Sequence, residues 1–343
     1  MTRPPLRDAQ VTLAHGGGGT AMHDLIEAVF TSAFDPPDRE DQARLSHPAL
    51  SEPGARLAFT TDSYVVTPVE FPGGDIGKIA VCGTVNDLVV GGAMPLWLSA
   101  AFIIEEGCEI ALLHRIVASM VREAAQAGVR IVTGDTKVVG RGAADRVFVT
   151  TSGLGVIPPG RDLGAANIRP GHVALVNGVL GNHGAAILSA RGDMALSSDI
   201  ISDCQSLDKL MAAVLAAAPG TVAARDATRG GVASALNEMA AMAGVGIEID
   251  EVLLPLAAEV RGVCEILGLD PLYLANEGTL VLFVPPSQAE AALAAMKSTA
   301  AGRDATIIGR AVAEHPGLVT MRTLFGGNRI VDMLVGEQLP RIC

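Results

Sequence analysis

Three aspartates could together hold a divalent cation. Asp62 lies in the segment TTDSYVV, Asp87 in TVNDL and Asp135 in TGDTK, each among apolar neighbours. A buried carboxylate costs free energy unless it is paired or bound to a metal. Mg²⁺ prefers a few carboxylates together with waters and substrate phosphates. Three separate aspartates also occur in a chain of 343 residues without forming any site, so both interpretations stay open on these residues alone.

An anion could bind at the segment DATRGGVASALNEMA. Asp226 and Thr228 stand just before a predicted helix whose first turn carries Arg229, Gly230 and Gly231. Free N–H groups, the helix dipole and the Arg229 guanidinium would each favour a phosphate at that position. The alternative is a plain N-cap by Asp226 or Thr228.

A charged group occupies an unusual position in the segment LANEGTLVLF. Asn276 and Glu277 stand at the entry to a strand that is apolar throughout. A structural salt bridge would explain Glu277, and a general base held by its surroundings is the functional alternative. Lys137 follows Asp135 by two residues in the segment TGDTK.

A run of four glycines follows His15. Ordering glycine costs more backbone entropy than ordering any other residue, so we expect the run to be a flexible loop until a ligand orders it. No G-x-x-x-x-G-K-[ST] motif occurs in the chain, so a nucleotide site would need another design than the P-loop. A simple linker is the alternative. The glycines are Gly16, Gly17, Gly18 and Gly19.

The chain ends in QLPRIC, with Cys343 as its last residue. The five cysteines are odd in number and contain no C-x-x-C pair, which argues against a disulfide scaffold or a structural zinc site. Prenylation needs the cysteine four residues from the end. Terminal residues are usually mobile unless something ties them down, so the thiol is either incidental or carried by a mobile arm.

The predicted elements alternate between strand and helix in both halves of the chain. RLAFTTDSYVV and PLWLSAAFIIE are typical of strands, and EIALLHRIVASMVREAAQAGV has a helical stripe with Gly128 as its stop. Pro and Gly concentrate in 158–171, where we place the domain boundary. The predicted parts are a flexible N-terminal segment with a first helix, 1–34, an N-terminal domain, 35–157, a C-terminal α/β domain, 158–333, and a mobile tail, 334–343.

Composition excludes several classes of protein. A net charge of −12 argues against binding nucleic acid or an anionic membrane, since both need a basic face. The N-terminus lacks the apolar core of a signal peptide. The most apolar stretch, MAAVLAAAPGTVAA, is broken by Pro-Gly and falls short of the roughly 20 residues of a membrane span. We therefore expect a cytoplasmic protein.

Taken together, the motifs resemble one family along nearly the whole chain. AHGGGG, TTDSYVV, GDIGKIAVCGTVNDLVVGGA, GDTKVV, DATRGGVASALNEMA, ANEG and VDMLVGEQLPRIC follow one another in order from residue 14 to residue 343. They resemble the hydrogenase maturation factors of the HypE family, in the aminoimidazole ribonucleotide synthetase-like (PurM-like) ATP-binding superfamily. The ending PRIC is the specific part, because the aspartate motifs recur in looser form across the superfamily.

The resemblance implies a two-domain α/β (α+β) fold with an N-terminal sheet that forms a barrel across a homodimer and a C-terminal α/β sandwich. It implies ATP bound near the domain and subunit junction. In that family a carbamoyltransferase, HypF, carbamoylates the terminal cysteine. ATP then drives dehydration to a thiocyanate, which supplies cyanide to the iron of NiFe hydrogenase through the HypC–HypD complex.

The resemblance also implies roles for the candidate residues. Cys343 would carry the carbamoyl group, Lys137 would stabilise the carbamoyl oxygen or the phosphate, and Glu277 would take protons from the nitrogen. Asp62, Asp87 and Asp135 would hold Mg²⁺ on the phosphates of ATP. The nucleotide cleft would be built by the glycine run, Gly16, Gly17, Gly18 and Gly19, and by Asp226, Thr228, Arg229 and Gly230.

Three rival functions stay open. Selenophosphate synthetases belong to the same superfamily, but they carry a cysteine or selenocysteine close to the N-terminus, whereas the first cysteine here is Cys82. A thiamine-monophosphate kinase would have no use for a terminal cysteine. A scaffold that binds maturation partners without catalysis would not need Asp62, Lys137 and Glu277.

Overall fold

Two β-sheets, one in each half of the chain, organise the structure. The structure is a computed structural model, and it describes residues 8–37, 40–192, 199–334, 336 and 341–343. It is a mixed α/β fold, as the sequence predicts. The predicted tail is described only in part, because residues 335 and 337–340 lie outside the described residues.

The first sheet has four strands in the order β1-β6-β4-β5. Strands β1, β6 and β4 are antiparallel neighbours, and β5 runs parallel to β4, so β1 and β5 form opposite edges. Strands β2 and β3 pair antiparallel as a separate two-stranded hairpin. The strands are β1 (Arg56–Tyr64), β2 (Glu70–Phe71), β3 (Gly74–Asp75), β4 (Met94–Glu105), β5 (Arg130–Val139) and β6 (Val147–Ile157).

The helices of the first half pack against this sheet and against each other. An N-terminal helical stretch continues from α1 through a π-helical turn, Ile26–Thr31, into α2. Asp75 caps α3, since its carboxylate accepts a hydrogen bond from Lys78 N at 2.9 Å. The helices are α1 (Thr20–Leu25), α2 (Ser32–Phe34), α3 (Ile76–Val90) and α4 (Ile110–Ala127).

The second sheet has seven strands in the order β13-β12-β9-β11-β7-β10-β8, antiparallel except for the β12–β9 pair. Its strands are β7 (Val173–Val176), β8 (Ala223–Asp226), β9 (Gly246–Asp250), β10 (Leu280–Val284), β11 (Thr306–Val312), β12 (Val319–Arg322) and β13 (Asn328–Val331). The helices are α5 (Asn182–Arg191), α6 (Asp208–Ala217), α7 (Gly231–Ala243), α8 (Ala258–Leu267) and α9 (Ala289–Lys297).

Helix α3 joins the two halves, because it contacts the first sheet, α4 and also β8 and α6 of the second half. Almost all of its residues are buried. Two glycines allow the close packing: a Cβ on Gly77 would lie 2.5 Å from the Ile116 carbonyl oxygen, and a Cβ on Gly83 would lie 2.5 Å from the Tyr64 hydroxyl. One apolar core therefore runs from the first half into the second.

The structure adds local detail to the sequence analysis. Gly16 closes a short 3-10 turn, Leu13–Gly16, and Gly19 is the N-cap of α1. Asp135 lies within β5. Neither α6 nor β8 is predicted from the sequence, since both fall in an Ala-rich stretch without a clear period. No helix in the described part of the chain is long and apolar enough to cross a membrane.

Candidate active site

A cavity of about 290 Å³ lies where the two halves meet. Strand β1 contributes Asp62, helix α3 contributes Asp87, and the end of β8 contributes Asp226. The turn before α7 contributes Arg229, and Glu277 stands just before β10. The last residue of the chain, Cys343, completes the wall. Motifs that lie far apart in sequence thus meet in one place.

The cavity concentrates negative charge. Burial and, second, the Asp87 carboxylate raise the pKa of Asp226 to about 7. Burial also raises the pKa of Asp87, with a further contribution from Asp62, although a hydrogen bond from Thr60 at 2.7 Å opposes it. A cation bound among these groups would offset the cost of burying their charges and would also relieve their mutual repulsion.

Arg229 lies close to this cluster, with its Nη2 atom 4.0 Å from Asp62 Oδ1. Helix α7 begins at Gly231, later than the sequence predicts, and Gly230 is its N-cap with φ of +74° and no side-chain cap. The interpretation of Asp226 or Thr228 as a plain N-cap is therefore wrong. Both side chains line the cavity instead.

Glu277 is almost fully buried, and its Oε1 atom has no hydrogen-bond partner. Burial, followed by the nearby Asp203 and Asp226 carboxylates, raises its pKa well above the usual range. No ion pair to Glu277 exists within the described ranges, so the salt-bridge interpretation fails there. Asp203 fixes the backbone of the loop by accepting hydrogen bonds from Glu277 N at 3.1 Å and Gly278 N at 3.0 Å.

The end of the chain is docked in the cavity of its own chain. Val65 N donates to Cys343 O at 3.3 Å, and Thr67 N donates to Arg341 O at 3.1 Å. Residues 341–343 therefore lie along 65–67 much as an added strand would. Cys343 and Glu277 line the same cavity, and burial, followed by the nearby Glu277 carboxyl, raises the pKa of the Cys343 thiol.

A second cluster of predicted residues lies elsewhere. Lys137 Nζ contacts both carboxylate oxygens of Asp135, at 2.9 Å and 2.7 Å, on strand β5. Asp135 lines a different cavity, of about 370 Å³, next to Phe30 and Phe34. The glycine run is close by, because a Cβ on Gly16 would lie 2.9 Å from Val138 Cβ.

A three-aspartate site is therefore not formed within one chain. The register places Asp62 opposite Thr151, Thr151 opposite Ala100, and Ala100 opposite Gly134, the neighbour of Asp135. Three inter-strand steps separate Asp62 from Asp135 by roughly 14 Å. Across the described residues, no group of three or more His, Cys, Asp or Glu side chains forms a ready metal site. Lys137 and the glycine run likewise do not line the cavity that holds Cys343.

Two residues of this region are missed by sequence reasoning. His183 belongs to none of the candidate sites that the sequence suggests, yet it is fully buried and contacts the docked chain end. Asp203, which fixes the Glu277 loop, lies in no recognisable motif. Neither residue has a spacing signal, because each acts on a segment distant in sequence.

The fold and the site define the class of protein. The N-terminal domain of AIR synthase related proteins matches residues 40–157, and the C-terminal domain of the same family matches residues 169–321. The chain is therefore an AIR synthase related protein with the two-domain PurM-like fold.

Individual relatives show to which family within this class the chain belongs. The chain is 75% identical over 338 residues to the carbamoyl dehydratase HypE of Rhodobacter capsulatus. The match covers 98% of this chain and 99% of the relative. It is 50% identical to the carbamoyl dehydratase HypE of Escherichia coli K12, over 97% of this chain and 99% of that protein. The chain belongs to the HypE carbamoyl dehydratase family.

Solved structures agree with this assignment. HypE in complex with ATP superposes with a TM-score of 0.91 at 44% identity, covering 97% of this chain and 99% of that one. A HypE–HypF complex superposes with a TM-score of 0.79 at 47% identity, covering 90% of this chain and 99% of that one. The thiamine monophosphate kinase of Aquifex aeolicus, at 20% identity and a TM-score of 0.57 over 84% of this chain and 93% of that one, shows similarity of fold alone.

Proposed function

We propose that the chain dehydrates an S-carbamoyl group on its own Cys343 to a thiocyanate at the expense of ATP, and so supplies cyanide for the iron of NiFe hydrogenase. One observation carries the proposal: the terminal sulfur lies in a charged cavity against a buried, unpaired carboxyl, Glu277. A thiol placed there for stability would not need a carboxyl with an orphaned oxygen.

The chemistry explains why ATP is needed. The oxygen of S–C(=O)–NH₂ is a poor leaving group, so it first attacks the γ-phosphorus and becomes a phosphate ester, while ADP leaves. Loss of the two nitrogen protons and departure of phosphate then give S–C≡N. Glu277 would accept a nitrogen proton, and a carboxylate of raised pKa is the stronger base once it is ionised.

Asp62 and Asp87, joined by Asp226, would hold Mg²⁺. They are hard oxygen donors, and their mutual repulsion favours a bound cation. The ion would neutralise negative charge on the phosphates of ATP. Arg229, Thr228 and Gly230, at the start of α7, would contribute to the same anion site.

We infer that a homodimer completes this site. Asp135, Lys137 and the glycine run lie at the β5 edge of the first sheet, and the Cys343 cavity lies at the β1 edge. Pairing of two such sheets as a barrel brings the β5 edge of one subunit to the β1 edge of the other. The exposed Leu57 and Phe59 on β1 support an apolar contact between sheets. Lys137 and the glycines would then act on the nucleotide held by the neighbouring subunit.

The partners follow from the same chemistry. A carbamoyltransferase of the HypF type would load Cys343, and relatives of this chain form a HypE–HypF complex. A HypC–HypD complex would accept the cyanide, with all steps in the cytoplasm. A kinase or selenophosphate synthetase activity is less consistent with a cysteine docked at the catalytic carboxyl, and a scaffold would not need that carboxyl.

Intact-mass spectrometry tests the proposal. Protein carbamoylated on Cys343 and given Mg-ATP should lose the mass of one water and release ADP and phosphate. Cys343→Ala is the matched control, because it should keep its fold and ATP binding but never become modified. An unchanged carbamoyl adduct in protein that binds ATP would contradict the assignment.

A further inference from the structure

His183, on α5, makes two hydrogen bonds from a fully buried ring. Its Nε2 atom lies 2.7 Å from Ile342 O, and its Nδ1 atom lies 2.8 Å from Ser202 Oγ. Because a carbonyl oxygen can only accept, Nε2 carries a proton, and because burial lowers the pKa of His183, the ring is neutral and Nδ1 accepts from the Ser202 hydroxyl. The Ser202 oxygen accepts in turn from Cys204 N at 3.1 Å. The hydrogen bonds thus fix the imidazole in one neutral tautomer.

The orientation of the ring is fixed as well. Phe71 packs edge-on against the imidazole, with the ring centroids 5.4 Å apart. Phe71 belongs to the β2–β3 hairpin, and Ser202 N donates to the carbonyl of the next residue in that hairpin, Pro72, at 2.9 Å. His183 is therefore held by residues of both halves of the chain before it contacts the chain end.

The chain end is recognised through its main chain. Each of the last three carbonyls has its own donor: Thr67 N and Arg191 Nη2 for Arg341 O, His183 for Ile342 O, and Val65 N for Cys343 O. The Ile342 side chain is buried in the core. None of these contacts involves the sulfur, so the same docking can serve a free thiol and a modified one.

We propose that His183 is a positioning residue of the dehydratase, whose Nε2–H holds the Ile342 carbonyl and thereby keeps the sulfur of Cys343 against Glu277. The proposal rests on the proposed function for its catalytic consequence. The docking itself is independent of that function, and it can be measured without any turnover.

The proposal predicts that loss of the His183 hydrogen bond has opposite effects on the loading of Cys343 and on its dehydration. Loading of Cys343 by another protein requires the chain end to leave the cavity, and dehydration requires it to return. A residue that only stabilises the fold would impair both steps when replaced. Loss of the His183 hydrogen bond should instead favour the undocked state, so the sulfur becomes more accessible while dehydration slows.

The test compares His183→Phe with His183→Gln. Phenylalanine fills the space beside Phe71 but has no donor for Ile342 O, whereas the amide of glutamine can replace Nε2–H. A single buried hydrogen bond of this kind changes an equilibrium by roughly tenfold. We expect the Cys343 thiol to react with iodoacetamide about tenfold faster in His183→Phe, and near the wild-type rate in His183→Gln.

Four other cysteines provide an internal control for folding. Cys82, Cys108, Cys204 and Cys264 are all buried, so peptide mapping should show them unreacted in both variants. Accelerated alkylation at Cys343 with those four protected supports the proposal. An unchanged Cys343 rate in a variant that keeps them protected overturns it.

Should His183→Phe expose the buried cysteines, His183→Leu provides the second variant. Its smaller side chain likewise has no donor for Ile342 O. We expect Cys343 to be alkylated about tenfold faster than in the wild type, and an unchanged rate with the four buried cysteines protected overturns the proposal. On carbamoylated protein, single-turnover dehydration should slow in the same variants. If neither the wild type nor any variant dehydrates the carbamoyl group, but alkylation of Cys343 changes as expected, the proposed function is refuted. The role of His183 in docking the chain end would still be supported.

Discussion

The Cys343 thiol lies against the Glu277 carboxyl, and burial raises the pKa of both groups. A thiolate is the reactive form of cysteine, so the docked thiol is protonated and inert. Reaction of the sulfur with an external carbamoyl donor therefore requires the chain end to leave the cavity. The docked position suits the second reaction, in which a sulfur that is already modified meets a base.

Replacement of Glu277 by glutamine should stall dehydration and leave the rest of the protein intact. Glutamine keeps the volume of the side chain but cannot accept a proton, and loss of a general base costs about 10² to 10⁴ in rate. Intact mass after addition of Mg-ATP should show a persistent carbamoyl adduct in Glu277→Gln. ATP binding and the stability of the protein serve as controls. Turnover at the wild-type rate would remove Glu277 from its role as base.

Sequence patterns predict the elements with a strong local signal. The apolar stripe of α4 and its stop at Gly128 are confirmed, and Gly128 adopts the left-handed conformation expected of a helix C-cap. The motifs also predict most of the wall of the Cys343 cavity, because residues such as Asp62, Asp226 and Glu277 are of types that are costly to bury without a role.

What the sequence does not predict depends on long-range pairing. The order β1-β6-β4-β5 separates Asp62 from Asp135, and no local pattern reveals which strand of a sheet lies at its edge. His183 contacts a carbonyl 159 residues away in the chain. A single histidine in an Ala-rich helix carries no signal for such a contact.

Asp226 should make the stability of the apo protein depend on pH. Its folded pKa of about 7 lies above the usual aspartate value of 3.8, so the folded state binds more protons than the unfolded state between those values. The free energy of unfolding should therefore fall as pH rises from about 4 to about 7. Asp226→Asn removes this penalty. The side chain is partly exposed, so we expect about 1–2 kcal/mol of stabilisation at pH 8 and none at pH 4.

Chemical denaturation at the two pH values measures this effect, with Asp250→Asn as the matched control. Arg322 lowers the pKa of Asp250, so replacement of Asp250 should not stabilise the protein at pH 8. Equal stabilisation of Asp226→Asn at both pH values would show that the carboxyl is not desolvated in the folded state.

Gly83 should be intolerant of alanine because of one atom of a neighbouring residue. A Cβ at this position would lie 2.5 Å from the Tyr64 hydroxyl oxygen and 3.3 Å from the ring. Gly83→Ala should therefore destabilise the protein by about 1–3 kcal/mol. Tyr64→Phe removes the clashing oxygen, so the double variant should recover part of the loss in a thermal unfolding experiment. Additive losses in the double variant would show that the hydroxyl is not the source of the strain.

Heterodimers test whether two subunits build one site. Glu277→Gln disables the Cys343 cavity, and Lys137→Ala disables the cluster on β5, so each homodimer should be inactive. In a heterodimer purified by two different tags, one site combines the intact Glu277 of one subunit with the intact Lys137 of the other. If Lys137 acts across the interface, about half of the wild-type activity per dimer should return.

The matched control pairs Glu277→Gln with Cys343→Ala. Both residues lie in the cavity of the same chain, so a heterodimer of these two variants has one subunit without the base and one without the sulfur. Dehydration within each chain's own cavity predicts no recovery in this control. Recovery of activity in this control would mean that the chain end also enters the cavity of the neighbouring subunit. If the heterodimer of Glu277→Gln with Lys137→Ala recovers no activity, Lys137 does not act across the interface. The two heterodimers together therefore separate the path of the chain end from the origin of the lysine.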